Sequence, residues 1–128
     1  YINNIMTQPG ETDNYTAFDH ALAILDHTCD DFIDYCIVNS GSIDEELLEK
    51  YRLDGAARVE YDKIRFASTK MTVIERNLVS VDSEGHVRHN TYALADALLD
   101  IISINRNEKG QKVSSEGVLL YSPKNRRR

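Results

Sequence analysis

Apolar residues recur along the chain in two alternating rhythms, short continuous runs and stripes at helical spacing. Tyr1–Met6 is an apolar, β-prone run that stops at Thr7-Gln8-Pro9-Gly10, where proline sets the first turn dihedral and glycine accepts the positive φ that follows. Thr16-Ala17-Phe18-Asp19 then places a capping hydroxyl three residues before a carboxylate, and Phe18, Ala21, Leu22 and Leu25 follow at helical spacing, which predicts a helix over Thr16–His27. Phe32–Val38 reads as a buried strand ended by Asn39-Ser40-Gly41. A second capping signature, Ser42-Ile43-Asp44-Glu45, opens a helix with Leu47, Leu48 and Tyr51 on one face; Gly55 suits the position just past its end. Arg58–Tyr61 and Met71–Ile74 are strand candidates, and Asn77-Leu78-Val79 is a further extended piece. Asn90 caps a long helix, Thr91–Ile104, with Leu94, Leu98, Ile101 and Ile102 expected to face inward. Beyond it only Val118–Tyr121 has the composition of a short strand.

Strands alternating with helices imply an α/β, Rossmann-like fold with a mostly parallel sheet and flanking helices. Ligands of such sheets bind outside the carboxyl ends of the strands. That rule selects three loops: Met6–Tyr15, Asn39–Ser42 and Val81–Asn90.

Composition narrows the class. The 128 residues are 41% hydrophobic and 28% charged, as in an ordinary globular protein, and no run is long enough to span a membrane. Residues 1–104 carry eight basic and nineteen acidic side chains, a net of −11, whereas residues 105–128 carry seven and two, a net of +5. An acidic body does not attract a nucleic-acid backbone, and the basic end, with Arg126-Arg127-Arg128, reads as a polar, flexible tail. Cys29 and Cys36 form no C-x-x-C pair and read as reduced thiols, which fits a cytoplasmic location.

The candidate chemistry lies in the loops. Between a strand and a helix N-terminus, Thr7, Gly10, Glu11, Thr12 and Asp13 offer hydroxyl donors, close backbone approach and two carboxylates. Glu11 and Asp13 would suit Mg²⁺ bridging phosphates, or a ribose hydroxyl; an ordinary capped loop uses the same residue types. Arg88 presents a planar fork for phosphate or carboxylate, with His89 beside it ahead of a helix. His20, next to Asp19, either faces a ligand or is satisfied within its own helix. His86 and His89 lack further partners at metal-ligand spacing, and no Walker loop, nucleophile elbow or G-x-G-x-x-G is present.

The run Asn4-Ile5-Met6-Thr7-Gln8-Pro9-Gly10-Glu11-Thr12-Asp13 resembles the signature of the bacterial gluconeogenesis-factor proteins and their relatives, the 2-phospho-L-lactate transferases. Tyr15-Thr16-Ala17, Asp19-His20, Val38-Asn39-Ser40-Gly41, Leu48-Glu49-Lys50-Tyr51 and Val87-Arg88-His89-Asn90 extend the resemblance, in order, to about Ile104. It implies that residues 1–104 are the C-terminal part of a larger α/β domain, whose glycine-rich nucleotide loop lies on an earlier strand absent from this chain. The gluconeogenesis-factor branch implies a regulator that binds a UDP-sugar such as UDP-N-acetylglucosamine, needed for growth on gluconeogenic carbon and for cell shape and wall synthesis. In that branch Tyr51 and Arg88 would contact ligand, and Thr91 would be the target of a serine/threonine kinase. The transferase branch implies phospholactyl transfer from a guanylyl donor to a deazaflavin, with Mg²⁺. The Thr-Gln-Pro-Gly-Glu-Thr and Val-Arg-His matches favour the first branch. A homo-oligomer is compatible with either.

Overall fold

The computed structural model describes residues 1–29 and 31–116, with side chains as far as Asn107. Val118–Tyr121 and the arginine triplet lie outside the described residues. The chain divides into two units, Tyr1–Ala97 and Leu98–Arg128.

The first helix begins where the hydroxyl–carboxylate spacing places it. α1 spans Ala17–Leu25, and Thr16 and Asp19 form a reciprocal capping box. β1 (Tyr35–Asn39) pairs in parallel with β2 (Thr72–Arg76), Ile37 opposite Ile74. The expected strand Tyr1–Met6 does not form as a regular element. Its first half makes a parallel bridge at Ile2↔Ile37, and its second half turns away to an antiparallel bridge at Met6↔Arg58. That division explains why Arg58–Tyr61, also expected as a strand, contributes only one bridge.

β1 is buried on both faces, as strands of a parallel sheet covered on each face are. Cys36 and Val38 join Ala17, Ala21, Val59, Phe66 and Met71 in the main core, while Ile37 points to the opposite face. Between β1 and β2 lie α2 (Glu45–Leu53) and a short α3 (Lys63–Phe66), the latter without an anticipating pattern. The N-cap of α2 is Asp44, whose side chain accepts from Glu46 N–H, and not Ser42 two residues earlier. At its other end Gly55 N–H bonds to Arg52 O and Ala56 N–H to Tyr51 O, with Gly55 at φ +81°. These paired bonds close the helix with a left-handed glycine.

Val81–Asn90, expected as a loop, is mostly a hairpin: β3 (Val79–Val81) runs antiparallel to β4 (Val87–His89). Two three-residue strands are too short for alternation to reveal. Asn90 caps α4 (Thr91–Glu116) by accepting from Tyr92 and Ala93 N–H, so the helix starts as expected and runs past Ile104. Leu94 and Ile101 are half-buried, but Leu98 and Ile102 are 42% and 48% exposed. Periodicity identifies an apolar face without supplying its cover. Among the described residues no helix is long and apolar enough to cross a membrane.

Candidate functional site

The extended segment Asn4–Pro9, the C-terminal end of α2 and strand β4 surround a cleft of about 410 Å³. Its walls include Thr7, Gln8, Tyr51, Asp54, Arg88 and His89. Residues far apart in sequence, from the Pro-Gly loop and from the segment before α4, thus meet in one place.

Thr7 is buried, and its backbone and side chain both bind Ala57: Thr7 N–H donates to Ala57 O at 2.7 Å, and Thr7 Oγ1 accepts from Ala57 N–H at 2.8 Å. The tie fixes the cleft floor against the chain leaving α2. Tyr51 Oη accepts from Val87 N–H at 2.8 Å, which joins α2 to β4 across the opening. His89 Nε2 lies 2.9 Å from Asn3 O. A carbonyl only accepts, so Nε2 carries the proton. Arg88 donates from Nε to Asp82 Oδ2 at 3.0 Å, and its side chain is 63% exposed. Asp82 also accepts from the backbone N–H groups of His86 and Glu84. Those bonds, His86 N–H foremost, hold its carboxyl below the ordinary value of 3.8.

The tip of the Pro-Gly loop is used differently. Gly10 adopts φ +81°, and its N–H donates to Asp13 Oδ2 at 2.9 Å. Thr12 Oγ1 accepts from Gln8 N–H at 2.8 Å. Gly10, Glu11, Thr12 and Asp13 therefore form the turn beside the cleft, and none is among its lining residues. Glu11 and Asp13 meet no third ligand: among the described residues no group of three or more His, Cys, Asp or Glu side chains is placed to hold a metal ion. Thr91 is exposed at the first position of α4.

The Asn39–Ser42 loop turns inward on itself. Asn39 Oδ1 accepts from Gly41 and Leu78 N–H, each at 2.9 Å, so its amide serves the backbone and not a ligand. His20 is buried; its Nδ1 lies 2.9 Å from Thr16 O, the in-helix arrangement, with Tyr15 edge-on. Asp54 and Asp82 belong to the site or its support without being singled out by the sequence, whereas Asn4 and Gln8 fall within the signature run around Pro9-Gly10. Only the Asp-x-x-Gly of Asp82–Gly85 hinted at a carboxylate committed to a turn.

Residues 1–79 match the model of the family described as 2-phospho-L-lactate transferase CofD. This α/β chain belongs to that family. It is similar to the gluconeogenesis factor of Bacillus subtilis, 38% identical over 102 residues that cover 80% of this chain and 32% of that protein. The gluconeogenesis factor of Listeria monocytogenes is 35% identical over 109 residues, 85% of this chain and 33% of its own length. A crystal structure of a UPF0052 family member from Bacillus halodurans superposes with a TM-score of 0.72 at 34% identity, covering 77% of this chain and 31% of that one. This chain spans about a third of the length of these relatives.

Proposed function

We propose that the chain forms part of a nucleotide-sugar-binding regulatory protein of the gluconeogenesis-factor type, whose ligand is a UDP-sugar such as UDP-N-acetylglucosamine. The supporting observation is the convergence of Thr7, Tyr51, Arg88 and His89 on one cleft. In this reading Arg88 grips the diphosphate, where a guanidinium makes paired, charge-assisted hydrogen bonds. The Tyr51 ring, whose hydroxyl is already committed to Val87, offers its face to a base or sugar. A phosphate added to Thr91 by a serine/threonine kinase would stand at the N-terminus of α4, stabilising the helix while repelling an anionic ligand. Cell shape and growth on gluconeogenic carbon are the processes such a regulator would serve. Isothermal calorimetry with UDP-N-acetylglucosamine tests the proposal: Arg88→Ala weakens binding about tenfold or more, roughly 1.4 kcal/mol. Unchanged affinity refutes it.

The matching family model supports a second reading, transfer of a phospholactyl group from a guanylyl donor to a deazaflavin. That reaction would draw on Glu11 and Asp13 for Mg²⁺, which is commonly held by one or two carboxylates together with substrate phosphates. Product formed from the donor, deazaflavin and Mg²⁺ favours this reading, and its absence alongside measurable UDP-sugar binding favours the first.

A further inference from the structure

The hairpin that delivers Arg88 to the cleft carries a carboxylate whose two oxygens do different things. Asp82 follows β3 directly, and Ser80 lies opposite Arg88 in the antiparallel register. The reversal between the strands is closed by Asp82 N–H donating to His86 O and Gly85 N–H donating to Asp82 O, both at 3.0 Å, with Gly85 at φ +79°. Within this turn Asp82 Oδ1 accepts from Glu84 N–H at 3.0 Å and His86 N–H at 2.8 Å. The second oxygen, Oδ2, accepts from Arg88 Nε at 3.0 Å.

Backbone bonds thus orient this carboxylate, unlike an ordinary surface pair in which two long side chains must find each other. A surface pair contributes little to stability. Its consequence here is orientation. Asp82 engages only the Nε edge of the guanidinium, and among the described residues no other acceptor takes the two terminal NH₂ groups. Those groups are the end of the fork that suits two oxygens of a phosphate or diphosphate.

We infer that Asp82 is a positioning residue for anion recognition: it holds the Arg88 guanidinium by its Nε edge so that the terminal NH₂ groups meet a diphosphate in the cleft. The inference rests on the UDP-sugar reading of that cleft. Restricting a long side chain before the ligand arrives removes part of the ordering cost of binding, which sets the expected gain at about three- to tenfold in affinity.

A double-mutant cycle on the full chain, with UDP-N-acetylglucosamine as the calorimetric probe, separates the possibilities. Asp82→Asn retains an oxygen for the turn N–H groups but lacks the charge that holds Arg88. It is expected to weaken binding about three- to tenfold in the wild-type background and to have no effect in Arg88→Ala. Equal losses in both backgrounds, or no loss in either while Arg88→Ala costs tenfold, overturn the role of Asp82 and leave the UDP-sugar reading standing. If Arg88→Ala changes nothing, that reading fails, and NMR still decides the orientation claim. Without any ligand, the Arg88 Nε–Hε resonance is expected to exchange slowly with water in the wild type and at least threefold faster in Asp82→Asn. A wild-type Arg88 Nε–Hε signal that exchanges as fast as that of a freely solvated arginine overturns the proposal, and because it is read on the unaltered protein, it does not depend on any variant folding.

Discussion

Asp19 accepts from Thr16 N–H and Thr16 Oγ1 through one oxygen and from Arg65 Nη1 through the other, at 2.9, 2.9 and 2.7 Å. The Thr16 backbone bond is the leading reason its carboxyl sits below the ordinary value of 3.8. A depressed carboxyl contributes stability that is present above the unfolded-state value and is lost as pH falls through the folded one. Stability measured by urea melts is therefore expected to decline below about pH 4, and Asp19→Asn, less stable at neutral pH, should show a flatter decline. Equal slopes for the two proteins would refute that account. The same distinction governs what the residues themselves reveal. Thr16 and Asp19 are three apart, so their cap is a local fact that spacing discloses. Asp82 and Arg88 are six apart and meet only because a hairpin folds one onto the other.

Helix ends show a similar contrast at the scale of elements. Gly55 is legible as a helix stop because few residues other than glycine hold a φ of +81° without strain. A Cβ there would meet Pro9 only at an ordinary 3.7 Å, so backbone conformation and not crowding opposes substitution. Gly55→Ala is expected to destabilise the protein by about 1–2 kcal/mol, read from the midpoint of chemical denaturation. A loss well under that range would show that the end of α2 relaxes freely. At the start of the same helix Asp44, and not Ser42, supplies the cap, although both precede the apolar stripe at acceptable positions. Sequence spacing permits either; the path of the chain after Asn39 selects one. The β3–β4 hairpin leaves little trace in the sequence for another reason: its strands are three residues long, and its reversal contains polar residues common to any loop.

At the scale of the whole Tyr1–Ala97 unit, β1 is the axis. The Tyr1–Asn3 segment and β2 flank it, and Ile37, at 1% exposure, is enclosed on the face opposite the α1 core. Ile37→Ala should cost about 2–5 kcal/mol, the range for removing a buried aliphatic side chain, and a thermal melt that barely moves would contradict its central place. The same axis explains why the first run is not a single strand: Ile2 pairs with β1 while Met6 has already left for Arg58. That departure carries Thr7–Pro9 to the wall of the cleft that Tyr51 and Arg88 share.

Local order in the sequence was enough to determine the α/β class, the caps at Thr16 and Asn90, the glycine stop at Gly55 and the family signature around Pro9-Gly10. Each depends on residues a few positions apart, where backbone geometry ties spacing to structure. Tertiary structure alone decided that Thr7, Tyr51 and Arg88 share a cleft, that Gly10–Asp13 close a turn beside it, and that Asp82 reaches Arg88. These are contacts made across bends and between elements. No periodicity encodes them, because they depend on where the packed core sends each segment.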